Sequence, residues 1–323
     1  MKYAVSAAAI AAALLAACSE QAADTDETTD AAPVEETGGE TMSDERAPGD
    51  AVSGDDASED GLSEASADGD ETDMASSESA PVCEGFGPQT PRDISMTEGT
   101  NPVSFELAPP ASELNLCNIH THTNAEHKGP GFSVYVGDGE DGGFACNETA
   151  ELTEEELTDP MNGEGAFGGV APGDTIEVHW VHSSCDVEPG EGLGSCLTDA
   201  CENPLLRVEA QAFLVVNDPE ALDFTDFGYA GSANEAGLHQ AASLPEGSGD
   251  PVVFRGSTTG PSYDEQTCSP LQVTWSVRPQ CLRVDVSSLH RWAEEGNVFN
   301  ETESHGVREL VTSPDLLAPI ESE

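Results

Sequence analysis

The sequence predicts a mainly β protein, a single large domain around one sheet with long loops and few short helices. Three observations point there. Short runs rich in Val, Phe and Trp recur between Gly, Pro, Asn and Asp, the pattern of strands joined by turns. Helical periodicity is convincing in only two short pieces. The composition changes near Pro81, where aromatic residues and cysteines become frequent, and the roughly 240 residues that follow are within reach of one large domain.

Ahead of that boundary the chain reads as a leader and a tether. Met1-Lys2-Tyr3, an alanine-rich apolar run to Leu15 and then Ala16-Ala17-Cys18 give residues 1–17 the basic start, hydrophobic region and small residues of an export signal. The run is too short to span a bilayer. Leu15-Ala16-Ala17-Cys18 resembles the lipobox of bacterial lipoproteins, which makes Cys18 the expected lipidated residue and the membrane a partner through that lipid. Ser19 resembles an outer-membrane sorting signal, so the expected location is the periplasmic face of the outer membrane or the cell surface.

Residues 18–80 carry 21 acidic residues against Arg46 alone, with almost no large apolar side chains. Such a segment cannot bury enough surface to offset its chain entropy, and a disordered, self-repelling tether is expected. About −33 of the formal charge of −53 remains on the rest of the chain, where Lys128 is the only lysine beyond the tether. A heavily hydrated acidic surface is the consequence, and it disfavours nucleic acid as a partner.

In residues 81–323, strands are expected at Leu116 to Thr123, Gly131 to Val136, Thr175 to Val181, Ala210 to Val216, Pro251 to Phe254, Leu271 to Val277 and Leu282 to Val286. Short helices are expected at Thr153 to Leu157, where Thr153 is placed to cap, and at Ser287 to Glu295. The eight cysteines besides Cys18 are an even set, and an oxidising compartment turns them into up to four disulfides. Cys185, Cys196 and Cys201 lack a repeated Cys-x-x-Cys spacing, so a stapled loop suits them better than a zinc knuckle. Spacing alone leaves the connectivity open.

The chemistry concentrates in Cys117-Asn118-Ile119-His120-Thr121-His122-Thr123-Asn124-Ala125-Glu126-His127. Residues two apart on a strand share a face, so His120 and His122 can present both imidazoles to one ion. A catalytic zinc ion typically takes three protein ligands and keeps a fourth position open. Thr175-Ile176-Glu177-Val178-His179-Trp180-Val181-His182 supplies the third. Glu177, His179 and Val181 share one face there, and His182 points the other way. This parity selects His179, places Glu177 to hydrogen-bond a ligand histidine, and makes Val181 part of an apolar wall. His127 is expected to be structural, and His239, His290 and His305 to be surface histidines.

These motifs in this order resemble those of carbonic anhydrases. His120-x-His122, then Ala125-Glu126-His127, then Glu177-x-His179-x-Val181-His182 look most like the delta class. They are similar also to the alpha-class His-x-His, Ser-Glu-His and Glu-Leu-His-x-Val-His-Trp. Farther on, Gly256-Ser257-Thr258-Thr259-Gly260-Pro261 and Val273-Thr274-Trp275 resemble the alpha-class Thr-Thr loop and its Val-x-Trp strand. The resemblance implies a twisted, mostly antiparallel sheet like that of the alpha class. It implies zinc bound by His120, His122 and His179, and reversible hydration of carbon dioxide to bicarbonate. By motif position, Thr258 orients the attacking hydroxide and Glu126 accepts a hydrogen bond from Thr258.

The chain departs from the alpha-class pattern in three places. Thr123-Asn124 stands where that class has Trp-Gly, and the Thr-Thr loop carries an insertion containing Cys268. Val103 stands where that class has its proton-shuttle histidine, leaving His127, His182 or a surface carboxylate for that task. Two rivals remain. His120-x-His122-x-x-x-Glu126 also fits a first cupin motif, with Glu126 itself a ligand to iron or manganese, and a related surface protein could keep its zinc without catalysis.

Overall fold

The computed structural model describes residues 83–321 apart from 91, 140, 258–266 and 308–310. The expected leader, Cys18, the acidic tether and Thr258 lie outside the described residues. Among the latter, no helix is long and apolar enough to cross a membrane.

Among the described residues eight strands form: β1 (Asn115–Thr123), β2 (Val134–Gly137), β3 (Gly143–Ala145), β4 (Thr175–Ser183), β5 (Leu206–Val216), β6 (Val252–Ser257), β7 (Gln272–Val277) and β8 (Leu282–Asp285). Six of them make one sheet in the order β1-β4-β5-β7-β6, with β8 also paired to β5. The β1–β4, β4–β5 and β6–β7 pairs are antiparallel, whereas β7 and β8 run parallel to β5. The sheet is mixed and mostly antiparallel. A separate ribbon pairs β2 with β3.

Every residue of β4 is buried, and the reason lies in its alternation. Val178 and Trp180 join Ile119, Phe213, Trp292 and Leu289 in an aromatic core on one face. Val181 joins Cys117, Val208, Ala210, Phe254 and Trp275 in a second core on the other. Helix α1 (Val286–Glu294) caps the first core, burying Val286, Leu289, Trp292 and Ala293. It stops at Gly296, whose φ of 73° suits a glycine and closes the last turn.

Strand β1 is irregular at one point, next to its histidines. The β1–β4 register slips between Leu116 and Asn118, so Cys117 is an extra, bulged residue. Leu116 therefore packs into the aromatic core, while Cys117 turns toward the opposite one. Asn118, His120 and His122 then pair with Val181, His179 and Glu177 on that same side.

Four disulfides settle the open connectivity: Cys83–Cys268, Cys117–Cys196, Cys146–Cys281 and Cys185–Cys201. Cys185–Cys201 staples the excursion between β4 and β5 to itself. Cys117–Cys196 ties that excursion to β1.

Candidate metal centre

His120 and His179 lie opposite each other in the β1–β4 ladder, and His122 lies opposite Glu177. Directly paired residues of an antiparallel ladder project to the same side. The strand register thus brings together three imidazoles separated by up to 59 residues of chain, with one ligand atom from each lying within 4.8 Å of the others.

The tautomers can be read from the partners. Asn118 Nδ2 donates to Gly190 O at 3.0 Å, which orients the amide so that its Oδ1 accepts from His120 Nδ1 at 2.7 Å. The lone pair of His120 is then on Nε2. Glu177 accepts from the Glu126 backbone N–H at 2.8 Å and from His127 Nδ1 at 2.9 Å, and its Oε2 lies 3.4 Å from His179 Nε2. That carboxylate keeps a proton on His179 Nε2 and leaves the lone pair on Nδ1.

His179 Nδ1 and His120 Nε2 face each other at 3.3 Å. Two lone pairs so placed repel unless something positive lies between them. The separation is also about the edge of a tetrahedron with bonds of about 2.0–2.1 Å, the usual zinc–nitrogen length. His122 Nδ1 lies 3.4 Å from Glu126 Oε1, and neither of its ring nitrogens has a hydrogen bond although both are buried. Buried polar atoms seldom go without partners. These donors therefore fit a small, borderline-soft cation such as zinc.

Electrostatics agree. Burial, reinforced by the imidazoles of His122 and His179, pushes His120 well below the usual histidine pKa. Burial brings His122 to about 4 even though Glu126 pulls upward. Both therefore keep a lone pair free at neutral pH, as a metal ligand must. Burial alone would raise Glu177, but the charge and hydrogen bonds of His127 and His179 outweigh it and hold the carboxyl well below its usual range. Burial would likewise lower His179, and Glu177 raises it instead.

A second grouping, His127, Glu177 and His179, also converges. Its carboxylate already accepts two hydrogen bonds, so the three-histidine set is the better donor set. His127 is fully buried, bonded to Glu177 and set edge-on against Trp275 with ring centres 4.8 Å apart, a supporting position. Val181 lines a cavity of about 20 Å³ beside His120 and His179, with Leu193, Leu206, Val208, Val273 and Trp275 completing an apolar wall. That volume admits about one or two water-sized molecules.

His182 projects from the opposite side of β4, hydrogen-bonded through Nδ1 to Trp180 O at 3.1 Å. With His127 sealed in the interior and His182 on the other face, neither offers a route from this cleft to solvent.

Sequence reasoning passed over three contributors. Asn118 orients His120, and the period-2 rule applied one step back from His120 reaches it. The turn Leu193–Cys196 supplies part of the cleft wall. His305 is more than a surface histidine: its backbone pairs with Thr121 and Thr123 along the free edge of β1, and its Nε2 lies 3.1 Å from Glu301 Oε2. Glu301 in turn accepts from the N–H and hydroxyl of Thr121.

A sheet that gathers three imidazoles from two adjacent strands into a buried, apolar-walled cleft defines a candidate single-metal centre on a β scaffold. The family model described as delta carbonic anhydrase matches residues 111–288, and the chain belongs to that family. A solved alpha-carbonic anhydrase from Photobacterium profundum is similar at 19% identity over 70% of this chain and 85% of that one. Its TM-score of 0.24 is too low to carry an argument from one structure to the other. No curated protein matches the chain.

Proposed function

We propose that this protein is a zinc-dependent carbonic anhydrase, exported and anchored through lipid on Cys18, that hydrates carbon dioxide reversibly to bicarbonate and a proton. The observation that carries it is the opposed pair of imidazole lone pairs at 3.3 Å beside an apolar cavity of about 20 Å³. His120 Nε2, His179 Nδ1 and His122 would hold the zinc ion. Zinc supplies a nucleophile from water near neutral pH, a property for which carbonic anhydrases are themselves the standard example.

The chain's own residues do the rest. Asn118 and Glu177 fix which nitrogen of His120 and His179 is bare. Glu126, beside His122, is the partner expected for the Thr258 hydroxyl, which would then be left to accept from the attacking oxygen and orient it. Val181, Val208 and Trp275 present no polar atoms that compete for a small, uncharged substrate, and the cavity is too small for a bulky one. Membership of the delta family removes the cupin rival and leaves a non-catalytic zinc protein as the alternative.

Stopped-flow carbon dioxide hydration by the full chain, with metal content measured on the same sample, tests the proposal. Activity should vanish when a chelator strips the zinc and return when zinc is restored, and His179→Ala should lose both zinc and activity. A zinc-loaded protein with no hydration above buffer would overturn the catalytic reading.

A further inference from the structure

The metal-ligand strand is bolted to the excursion between β4 and β5 at the point where β1 bulges. Cys117 is the bulged residue, and the bulge turns its side chain onto the metal face, where it forms the disulfide with Cys196. Three further bonds tie the same two segments. Asn118 Nδ2 donates to Gly190 O at 3.0 Å, Gly190 N donates to Cys117 O at 3.0 Å, and Ser195 Oγ donates to Cys117 O at 2.7 Å.

The tie reaches the site at both ends. On the β1 side it fixes Asn118, the residue that holds His120 Nδ1 at 2.7 Å. On the other side Cys196 and Leu193 border the cavity beside His120 and His179. A bulge that re-aims a side chain beside a functional site is a recurrent use of this irregularity. A regular β1 would aim Cys117 into the aromatic core and leave the turn unattached.

We infer that the Cys117–Cys196 bridge is a positioning device for the metal centre. It holds the Leu193–Cys196 turn as the cleft wall and, through the Asn118 amide, sets the orientation of His120, so that metal retention depends on it. The inference rests on the proposed zinc site and adds to it residues that are not metal ligands. Partners that orient a ligand typically change metal affinity about 10–100-fold when lost.

The test is the rate at which zinc passes from the full chain to a chromophoric chelator, read alongside thermal unfolding. Cys117→Ser with Cys196→Ser should release zinc at least about tenfold faster while still melting cooperatively. Cys185→Ser with Cys201→Ser opens the other bridge of the same excursion, which closes the excursion on itself and meets β1 only where the Cys185 carbonyl accepts from Asn115 Nδ2, away from the histidines, and should leave the rate within about twofold. Asn118→Leu should reproduce the faster release without touching a disulfide, and it decides the matter if the first pair does not fold. Asn118→Asp keeps an acceptor for His120 Nδ1 and should restore most of the retention. Unchanged release from a folded Cys117/Cys196 variant would overturn the inference, as would equal acceleration from both bridge variants, which would mark a general loosening. Wild-type protein that retains no zinc would instead overturn the metal reading itself.

Discussion

Glu177 and Glu209 are both buried carboxylates on neighbouring strands, exposed by 0% and 5%, and they face opposite sides of the sheet. Glu177 accepts from a backbone amide and from His127, with His179 Nε2 beside it. Glu209 accepts from Arg207 Nε at 2.7 Å, Arg278 Nη1 at 3.2 Å and Ser276 Oγ at 2.9 Å. An imidazole that donates one proton to a carboxylate still has a lone pair at its other nitrogen. A guanidinium has none and stays charged. The first arrangement can therefore prepare a ligand, whereas the second can only lock the fold. His179 and His182, three residues apart on β4, divide the same way: one converges with other imidazoles, the other is a neutral wall residue near the arginines. Residue type alone does not assign a role. The side of the strand does, together with what the partner can give up.

Removing each carboxylate in turn should separate the two roles. Glu209→Ala leaves the buried Arg278 and the partly buried Arg207 without their shared counter-charge, and breaking a buried ion pair in this way costs about 3–5 kcal/mol. Urea denaturation should show a loss of that order, with zinc content per folded molecule unchanged. Loss of zinc from a folded Glu209→Ala protein would mean that the two faces are not independent. Glu177→Gln is the counterpart. It keeps the shape but weakens the hold on the His179 and His127 protons, and zinc affinity should fall about 10–100-fold, equivalent to about 1.4–2.7 kcal/mol. Competition with a chelator of known affinity measures it, and an affinity within twofold of wild type would deny Glu177 its orienting part.

Much of this division was legible from spacing. The parity of Glu177, His179 and Val181 against His182 comes from strand periodicity alone, because β4 is regular along its whole length. β1 is not regular. Its bulge at Cys117 obeys no local pattern and arises from the pairing with β4 and the bridge to Cys196, so the turn of Cys117 toward the metal face was hidden. β5 begins four residues earlier than the apolar run at Ala210, since Arg207 and Glu209 break that run and are accommodated only by partners on β7 and just beyond it. The parallel pairing of β5 with β7 and β8 and the three-residue β3 likewise depend on distant partners. Thr153 to Leu157 closes a single turn instead of a helix. Thr153 and Glu156 exchange capping bonds there, but no apolar face continues the pattern to bury a second turn.

The far face also makes a weaker prediction about acid. Burial, the largest effect, brings His182 down to about 4, and Arg207 adds to this while Glu209 opposes it. An unfolded chain would protonate the same imidazole near about 6.5. As pH falls, the unfolded state therefore takes up the proton first, and the stability that neutral His182 contributes is complete at pH 7 and drains away between about 6.5 and 4. By pH 5 the loss attributable to this one residue is about 2 kcal/mol. His182→Gln has no proton to gain, so its stability should fall by about 2 kcal/mol less than wild type between pH 7 and pH 5, whatever the other acidic groups contribute to both. Urea midpoints at the two pH values give the difference directly. Parallel losses in the two proteins would mean that His182 is not held neutral by its burial, and that the contrast between the two histidines of β4 is one of direction only.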